Sequence, residues 1–419
     1  MKKYFLILAV LLSCGQQPRV DAPVSEKTAE QEIKGTLLNT EEQIDKPYVL
    51  LISIDGFRYD YAQKYGAENL LAFDVKSEKM IPSFPTKTFP NHYAIVTGLY
   101  PGHNGLVSNE FYDRSLKLTY TTRNRERVED AQFYEGTPLW VLAAEQGMVS
   151  GSVFWVGSEA PIKDHYPTYY FKYNGEISYE DRINQVVKWL ELPKEKRPHF
   201  ITLYFSITDD LGHRFGPESE EIKKGVLEID SLIGELTRKI DQLKLPVNTI
   251  VVSDHGMLEV DRESIIYPEK LIPEDMLLTT SFPAMVYSDD ASRIDSLYNA
   301  LSKDTTQYEV YLKNHLPERF HYDKNLDRIG DLDLLPKPPY TFGALGKTIP
   351  KGSSTHGYDA ATTPEMGAIF YAKGPAFKQT TIPPFENVNV YPLIANILGL
   401  SYEADSIDGK LEVLEPILK

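Results

Sequence analysis

Short, continuous apolar runs recur along the chain, and such runs are typical of strands that are buried on both faces of a sheet. Between them lie amphipathic stretches, the longest of which carries apolar residues at helical spacing from Ile222 to Ile240. This alternation predicts an α/β fold in which helices cover both faces of a mostly parallel sheet. The predicted strands are VLLISI (49–54), SGSVFWV (150–156), HFITLYFSI (199–207), NTIVVS (248–253) and GAIFYA (367–372), and the clearest predicted helices span 179–192 and 218–243.

The alternation is interrupted between about residues 261 and 351. This region is richer in prolines and turns, and it has its own strand–helix–strand pattern in PAMVYS, ASRIDSLYNALSK and QYEVYLKN. We expect a small subdomain here, inserted before the last part of the main sheet of a body that runs from 47 to 419. The alternative is a string of surface loops, which is uncommon for a stretch of this length.

The first 46 residues differ from that body. Lys2 and Lys3 precede an apolar stretch that is too short to span a bilayer, which is typical of an export signal. The LLSC that follows resembles a bacterial lipobox, so 1–13 is predicted to be a lipoprotein signal peptide and Cys14 its lipidated residue. A buried, incidental cysteine is the alternative. Residues 14–46 are polar and aperiodic, and we expect a tether. The protein would then be exported and lipid-anchored to a bacterial membrane, facing the periplasm or the cell exterior.

Charge and composition restrict the partners. The formal net charge of −16 argues against a nucleic-acid duplex or an anionic membrane as the main partner, which leaves the N-terminal lipid as the expected membrane contact. Cys14 is the single cysteine, so no disulfide can form within the chain and no thiol is available for catalysis. A phosphate substrate is compatible with the negative charge, because bound divalent cations can reverse the field of an acidic site.

Several predicted strands are followed by residues that can bind metals. Open parallel sheets place their ligands at the carboxyl ends of the strands, so these residues are expected to meet at one edge. Aspartates together with histidines suit zinc, with manganese or iron as alternatives. Each residue alone is weak evidence, since an aspartate there is often a helix cap and a histidine is often a structural hydrogen bonder. The candidate residues are Asp55, Asp209, His213, Asp254, His255 and His356.

The candidate nucleophile is Thr88, in the segment PSFPTKTFPNHYAIVTG. Pro90 suits the first turn of a helix that ends before Gly98, which puts Thr88 at the helix N-terminus, where free N–H groups favour an alkoxide and a bound phosphate. Metal coordination is one way to activate a hydroxyl. The alternative is that Thr88 only caps the helix. His92 and His103 are expected to flank this helix without joining the metal set.

Together these segments resemble the nucleotide pyrophosphatase/phosphodiesterases of the alkaline phosphatase superfamily. The resemblance runs from about Leu51 to Phe377, and its most specific blocks are KTFPNHY, DDLGHRFGP and SDHGM. Further matching segments are LISIDGFRYDY, PLWVLAAEQG, FWVGSE and THGYD. The resemblance implies an alkaline-phosphatase-like fold, in a bacterial lipoprotein member of the family.

The resemblance also implies two Zn²⁺ ions and a threonine nucleophile. Thr88 would attack the phosphate, and Asn109 would donate a hydrogen bond to a non-bridging phosphate oxygen. The implied ligands are Asp55, Thr88, Asp254 and His255 for the first ion, and Asp209, His213 and His356 for the second.

A pocket for the nucleobase or the leaving side of the substrate is implied as well. Aromatic residues in or after buried strands are often ordinary core residues, which is the alternative for Trp155 and Tyr204 in particular. Glu110 stands where some animal members have a lysine, and this puts a preference for nucleoside triphosphates in doubt. The implied lining residues are Phe89, Trp155, Tyr173 and Tyr204.

The implied function is the hydrolysis of nucleotide phosphodiester or pyrophosphate bonds to nucleoside 5′-monophosphates, through a phospho-threonine intermediate. A nucleotide or another small phosphodiester would be the partner. Two other enzymes of the same superfamily stay open as alternatives: a phosphomonoesterase and a phosphodiesterase acting on lipid or choline head groups. A nucleotide-binding lipoprotein without catalysis is the alternative outside the enzymes.

Overall fold

A computed structural model describes residues 30–346 and 353–419 of the chain. The predicted signal peptide (1–13), Cys14 and the first part of the predicted tether lie outside these residues, and so does a short part of the predicted subdomain (347–351). These assignments stay predictions. Among the described residues, no helix is both long enough and apolar enough to cross a bilayer.

The strands vary from two to seven residues in length. They are β1 (Gln31–Ile33), β2 (Tyr48–Ile54), β3 (Val75–Ser77), β4 (Met80–Ile81), β5 (Glu110–Asp113), β6 (Leu118–Thr121), β7 (Ser150–Val153), β8 (Tyr169–Phe171), β9 (Phe200–Phe205), β10 (Val247–Val252), β11 (Leu258–Glu259), β12 (Leu277–Thr279), β13 (Ala284–Tyr287), β14 (Tyr308–Leu312), β15 (Leu332–Pro336), β16 (Ser354–Thr355), β17 (Phe370–Lys373), β18 (Thr380–Ile382) and β19 (Phe385–Glu386).

The helices include one long amphipathic helix and several single turns. They are α1 (Tyr61–Tyr65), α2 (Glu68–Leu71), α3 (Thr88–Thr97), α4 (Pro101–Asn104), α5 (Arg125–Val128), α6 (Leu139–Glu145), α7 (Tyr179–Leu190), α8 (Ile207–Phe215), α9 (Glu220–Leu243), α10 (Pro268–Leu271), α11 (Ala291–Leu301), α12 (Val390–Leu398) and α13 (Leu411–Leu414).

Within the described ranges, nine strands form the central sheet in the order β1-β8-β7-β9-β2-β10-β17-β3-β18. The strands β8, β7, β9, β2 and β10 run parallel to one another, whereas β1 is antiparallel to β8 and β17 is antiparallel to both β10 and β3. The prediction of a mostly parallel sheet is therefore confirmed. Two predicted strands end early. Phe154 has a φ of 63°, which stops β7, and Ser206 has a helical conformation, which stops β9 before α8.

Both faces of this sheet are buried, as predicted. Along β2, Val49 and Leu51 pack into one core cluster with residues of α3, α6 and α12. Leu50 and Ile52 pack into the other with residues of α7 and α9. Because side chains alternate across a strand, this division places helices on both sides of the sheet. The sheet is consequently a rigid support for residues at the strand ends.

A second sheet has four strands in the order β12-β13-β15-β14, counted among the residues that the structure describes. Its apolar residues form a separate core cluster with α11. The predicted strand–helix–strand pattern corresponds to β13, α11 and β14. This sheet lies within the range predicted for the inserted subdomain, whose boundaries stay predictions.

The C-terminal part of the predicted tether belongs to the folded body, which corrects the boundary at residue 46. Gln31–Ile33 forms β1, which pairs with β8 at the edge of the central sheet. Asn39 is buried, donates to the carbonyls of Lys194 and Arg197 and accepts from the Val149 N–H. The segment lacks an apolar pattern because backbone and amide hydrogen bonds attach it to the body.

Asp333 generates a prediction about stability. The side chain lies in β15, is 1% exposed, and neither carboxylate oxygen has a hydrogen-bond partner among the described residues. Burial raises the pKa of Asp333 well above its usual range, although the charge of Lys313 opposes this. The folded state therefore retains a proton that the unfolded chain loses above about pH 4, so the contribution of Asp333 to wild-type stability falls as the pH rises. In thermal unfolding, the Tm of Asp333→Asn minus the Tm of the wild type should increase between pH 4 and pH 8. A Tm difference that does not change with pH would contradict this account.

Candidate active site

The carboxyl ends of β2, β9 and β10 lie side by side at one edge of the central sheet. Asp55 follows β2, Asp254 and His255 follow β10, and Asp209 lies in the first turn of α8, just after β9. Gly56 has a φ of 66°, and a Cβ built there would lie 3.0 Å from the Cα of Asp209. Glycine at this position lets the turn after β2 approach α8 closely.

Asp55, Asp254 and His255 form the first candidate metal group. One possible ligand atom from each lies within 4.8 Å of the others, and all three residues are buried. His255 Nε2 lies 3.0 Å from Asp254 Oδ2 and 3.5 Å from Asp55 Oδ1. The structure therefore brings together the three side chains that the resemblance implies for the first ion.

Asp209 and His356 form a second group, with His255 as its third member. His213, which the resemblance implies for this group, does not belong to that tight set. Its Nε2 nevertheless lies 3.3 Å from Asp209 Oδ1, because the two residues are one helical turn apart on α8. The second group thus contains His255 in the place of the implied His213, and His213 lies beside the group.

The three histidines around these groups share one hydrogen-bond pattern. Each ring has its Nδ1 within 2.9 Å of a backbone carbonyl oxygen. A carbonyl can only accept, so Nδ1 carries the proton and Nε2 presents a lone pair. The accepting carbonyls are those of Ser354 for His213, Gly256 for His255 and Thr86 for His356. Histidines that bind metals in proteins are usually oriented in this manner.

Three carboxylate oxygens in the two groups are buried without a hydrogen bond from any described residue. They are Oδ1 of Asp55, Oδ1 of Asp209 and Oδ2 of Asp254. Burial, followed by the charges of Asp254 and Asp209, raises the pKa of Asp55 well above its usual range. Buried charges of one sign require a partner, and divalent cations bound by the two groups would satisfy these oxygens. The residues present therefore fit metal ions.

Thr88 lies beside the first group. It is the first residue of α3, and its Oγ1 is 3.3 Å from His255 Nε2. Asn109 Oδ1 accepts a hydrogen bond from the Phe89 N–H at 3.1 Å. The carbonyl end of this amide is thereby fixed, and its N–H₂ end is the one that can donate to a ligand. A hydroxyl, an amide and a helix N-terminus thus converge at a place suited to an anion.

A cavity of about 290 Å³ opens next to Thr88. Its lining includes the four aromatic residues implied by the resemblance, Phe89, Trp155, Tyr173 and Tyr204. Trp155 is nearly buried and donates from Nε1 to the carbonyl of His92, so it is a fixed wall. Tyr173 is 45% exposed and lies at the rim. Aromatic walls of this kind suit a flat organic group.

Polar residues in the same cavity were missed by the sequence analysis. Arg125 and Glu159 form an ion pair within the lining, next to Thr122. Burial raises the pKa of Glu159, although the charge of Arg125 opposes this. Glu159 lies in the matching block FWVGSE, which could have indicated it. The contact with Arg125 depends on tertiary structure, and no local pattern predicts it.

His92 lies inside α3, whereas the sequence suggested a position flanking the helix. The ring is buried, its Nδ1 donates to the Thr88 carbonyl at 2.9 Å, and its Nε2 accepts from Ser53 Oγ at 2.8 Å. Nδ1 also lies 3.4 Å from Asp254 Oδ2. His92 therefore supports the backbone of the candidate nucleophile. The sequence held one signal for this contact, since His92 follows Thr88 by four residues, which is about one helical turn.

Lys87, immediately before Thr88, was also missed. Its Nζ donates to the His356 carbonyl at 2.8 Å and lies 4.6 Å from the centre of the Phe282 ring. Burial lowers the pKa of Lys87 to about 8. The side chain thus attaches the start of α3 to the segment that carries His356.

Comparison with known proteins identifies relatives of this chain. A family model described as type I phosphodiesterase / nucleotide pyrophosphatase matches residues 49–359. The chain is similar to human ectonucleotide pyrophosphatase/phosphodiesterase family member 1, with 36% identity over 379 residues, or 85% of this chain and 40% of that protein. It is also similar to venom phosphodiesterase 2 of Crotalus adamanteus, with 34% identity over 371 residues, or 84% of this chain and 45% of that protein. The chain spans less than half the length of these relatives.

Solved structures of similar proteins share the fold. Murine ectonucleotide pyrophosphatase/phosphodiesterase 5 has a TM-score of 0.82 and 30% identity, and the match covers 89% of this chain and 100% of that one. An inactive form of the murine protein, in which a threonine is replaced by alanine, is in complex with AMP and has a TM-score of 0.83 at 30% identity, with the same coverage. These matches support the alkaline-phosphatase-like α/β fold.

The crowded carboxylates generate a prediction about metal binding. Asp55→Asn replaces a buried carboxyl whose ionisation is opposed by two neighbouring carboxylates, so we expect the metal-free variant to have a higher Tm than the metal-free wild type at pH values where Asp55 is ionised. Added Zn²⁺ should raise the Tm of the wild type and have much less effect on the variant, because one ligand is lost. Asp210→Asn is the matched control, since Asp210 is exposed and belongs to neither group. A full zinc-induced rise in Asp55→Asn would contradict the assignment.

Proposed function

This chain belongs to the family of type I phosphodiesterases and nucleotide pyrophosphatases, and we propose that it hydrolyses nucleotide phosphodiester or pyrophosphate bonds to nucleoside 5′-monophosphates. The observation that carries the proposal is the joint position of Thr88, the two metal groups and the aromatic cavity. A phosphorus atom next to Thr88 would have one substituent in the cavity. The murine relative in complex with AMP supports a nucleotide as that substituent.

Two zinc ions are part of the proposal. Aspartate oxygens with histidine Nε2 atoms suit zinc, and the orphaned oxygens of the three aspartates support two closely spaced cations. When bound, such ions supply positive charge that lowers the pKa of a coordinated hydroxyl and stabilises phosphoryl oxygens. The proposed ligands are Asp55, Asp254 and His255 with Thr88 for one ion, and Asp209, His213 and His356 for the other.

The residues of the chain have distinct parts in the proposed reaction. The Thr88 hydroxyl loses its proton to solvent, and Oγ1 forms a bond to phosphorus while the bond to the leaving oxygen breaks; the leaving group takes up a proton from solvent, and a phosphothreonine remains. Water then cleaves this ester and restores the hydroxyl. The Asn109 amide donates to a phosphoryl oxygen, and the N-terminus of α3 adds its partial positive charge. His92 holds the Thr88 carbonyl, so that the first turn of α3 keeps its position during both steps.

The proposal predicts a preference for diesters. With zinc bound, the p-nitrophenyl ester of thymidine 5′-monophosphate should be hydrolysed faster than p-nitrophenyl phosphate, because the cavity binds the organic substituent. Product analysis should show thymidine 5′-monophosphate. Thr88→Ala should still bind AMP but lose turnover by roughly 10³-fold or more, as expected when a nucleophile is removed.

Other outcomes of the same assays would favour the rival functions. Faster hydrolysis of p-nitrophenyl phosphate would identify a phosphomonoesterase. Faster hydrolysis of a choline or glycerol head-group diester would identify the lipid-directed alternative. Binding of AMP without turnover of any ester by the zinc-loaded wild type would identify a non-catalytic nucleotide-binding protein.

Phe89 provides a test of the nucleotide assignment. The residue follows Thr88 directly and lines the cavity, so its ring is positioned to stack on a base. Phe89→Ala should raise the KM for the thymidine diester about tenfold, in line with the roughly 1–3 kcal/mol that stacking contributes per base in other proteins. The KM for methyl p-nitrophenyl phosphate should change little, and Phe89→Tyr should behave like the wild type. An equal effect on both substrates would mean that Phe89 only supports Thr88.

A further inference from the structure

Tyr204 lies between the aromatic cavity and the first metal group. It is the penultimate residue of β9 and pairs in parallel register with Ser53 of β2. Its hydroxyl donates to Asp55 Oδ2 at 2.6 Å, a distance typical of a strong bond from a hydroxyl to a carboxylate. The residue that the resemblance implies for the cavity is therefore also bonded to a carboxylate of the metal group.

This hydrogen bond distinguishes the two oxygens of Asp55. Oδ2 accepts from Tyr204, whereas Oδ1 lies 3.5 Å from His255 Nε2 and receives no hydrogen bond from the described residues. Rotation of the carboxylate would break the bond to Tyr204. Oδ1 consequently stays on the side of His255, where a cation would be bound.

Tyr204 is itself held in place. Its carbonyl accepts a hydrogen bond from Arg182 Nη1 at 2.8 Å, and Arg182 is 1% exposed, with its guanidinium 5.0 Å from the centre of the Phe154 ring. The Tyr204 ring packs edge-to-face on His92 at 5.4 Å between centroids. A donor that is fixed in this way can orient a metal ligand with little additional loss of entropy.

We infer that the Tyr204 hydroxyl is a positioning group for the metal site, which fixes Asp55 so that Oδ1 faces the cation. The Tyr204 ring meanwhile forms part of the cavity wall. The inference extends the proposed function. It rests on that proposal only in taking the cavity as the place where the nucleotide part of the substrate binds. Its metal part depends on the chain alone.

The test separates the hydroxyl from the ring. Tyr204→Phe removes one oxygen and keeps the ring contacts, so the variant is expected to fold. Metal-free wild type and variant are titrated with Zn²⁺ against a chelator of known affinity. One zinc-binding step should weaken about 10–100-fold, which is the usual effect of removing a partner of a metal ligand, and the other step should not change.

Tyr179→Phe is the matched control. It also removes a tyrosine hydroxyl near the end of β9, 3.3 Å from Ser206 Oγ, but this hydroxyl does not contact either metal group. Both zinc affinities of the control should equal those of the wild type. A general structural role of Tyr204 would instead lower the Tm of the metal-free variant and weaken both steps.

Kinetics provide the second measurement. At limiting zinc, Tyr204→Phe should hydrolyse the thymidine diester more slowly than the wild type, and excess zinc should restore most of kcat with KM unchanged. Wild-type zinc affinity in Tyr204→Phe, or a raised KM with unchanged zinc binding, would overturn the inference. The titration needs no substrate, so a wild type that binds zinc without hydrolysing nucleotides would contradict the proposed function and leave this test intact.

Discussion

The mutual repulsion of three buried carboxylates is the constraint on which the site depends. Asp55, Asp209 and Asp254 come from three neighbouring strand ends, and each has one oxygen without a donor among the described residues. Such an arrangement is unfavourable in isolation, and it persists because the strands below it are buried on both faces. The fold thus holds a group of acidic side chains together at a place whose residues fit metal ions.

The histidines beside these carboxylates are oriented as metal ligands in proteins usually are. The histidines donate from Nδ1 to backbone carbonyls, and this leaves a neutral nitrogen facing the carboxylates. Burial holds the pKa of His356 well below its usual range. The start of α3 adds the positive end of a helix dipole beside Thr88. The two candidate metal groups and Thr88, the candidate nucleophile, therefore form one electrostatic unit.

The strands and the ligands could be predicted because both leave local signals. A buried parallel strand is a short apolar run, and the polar residue after it lies at the edge where ligands collect. The position of His92 within α3, the hydrogen bond of Tyr204 to Asp55, and the pairing of Arg125 with Glu159 depend on contacts between distant segments. The sequence was misleading at residues 30–46, because β1 attaches through backbone hydrogen bonds, which polar composition does not reveal.

The short strand β1 has a consequence for how the protein can be shortened. It covers the outer edge of β8, whose N–H and C=O groups would otherwise form the open end of the central sheet. Open sheet edges invite pairing with other chains and promote aggregation. A truncation at residue 47, the boundary that hydrophobic patterning suggests, would remove β1 and expose this edge. We therefore expect residues 30–46 to belong to the smallest fragment that stays soluble, although they contribute almost nothing to the core.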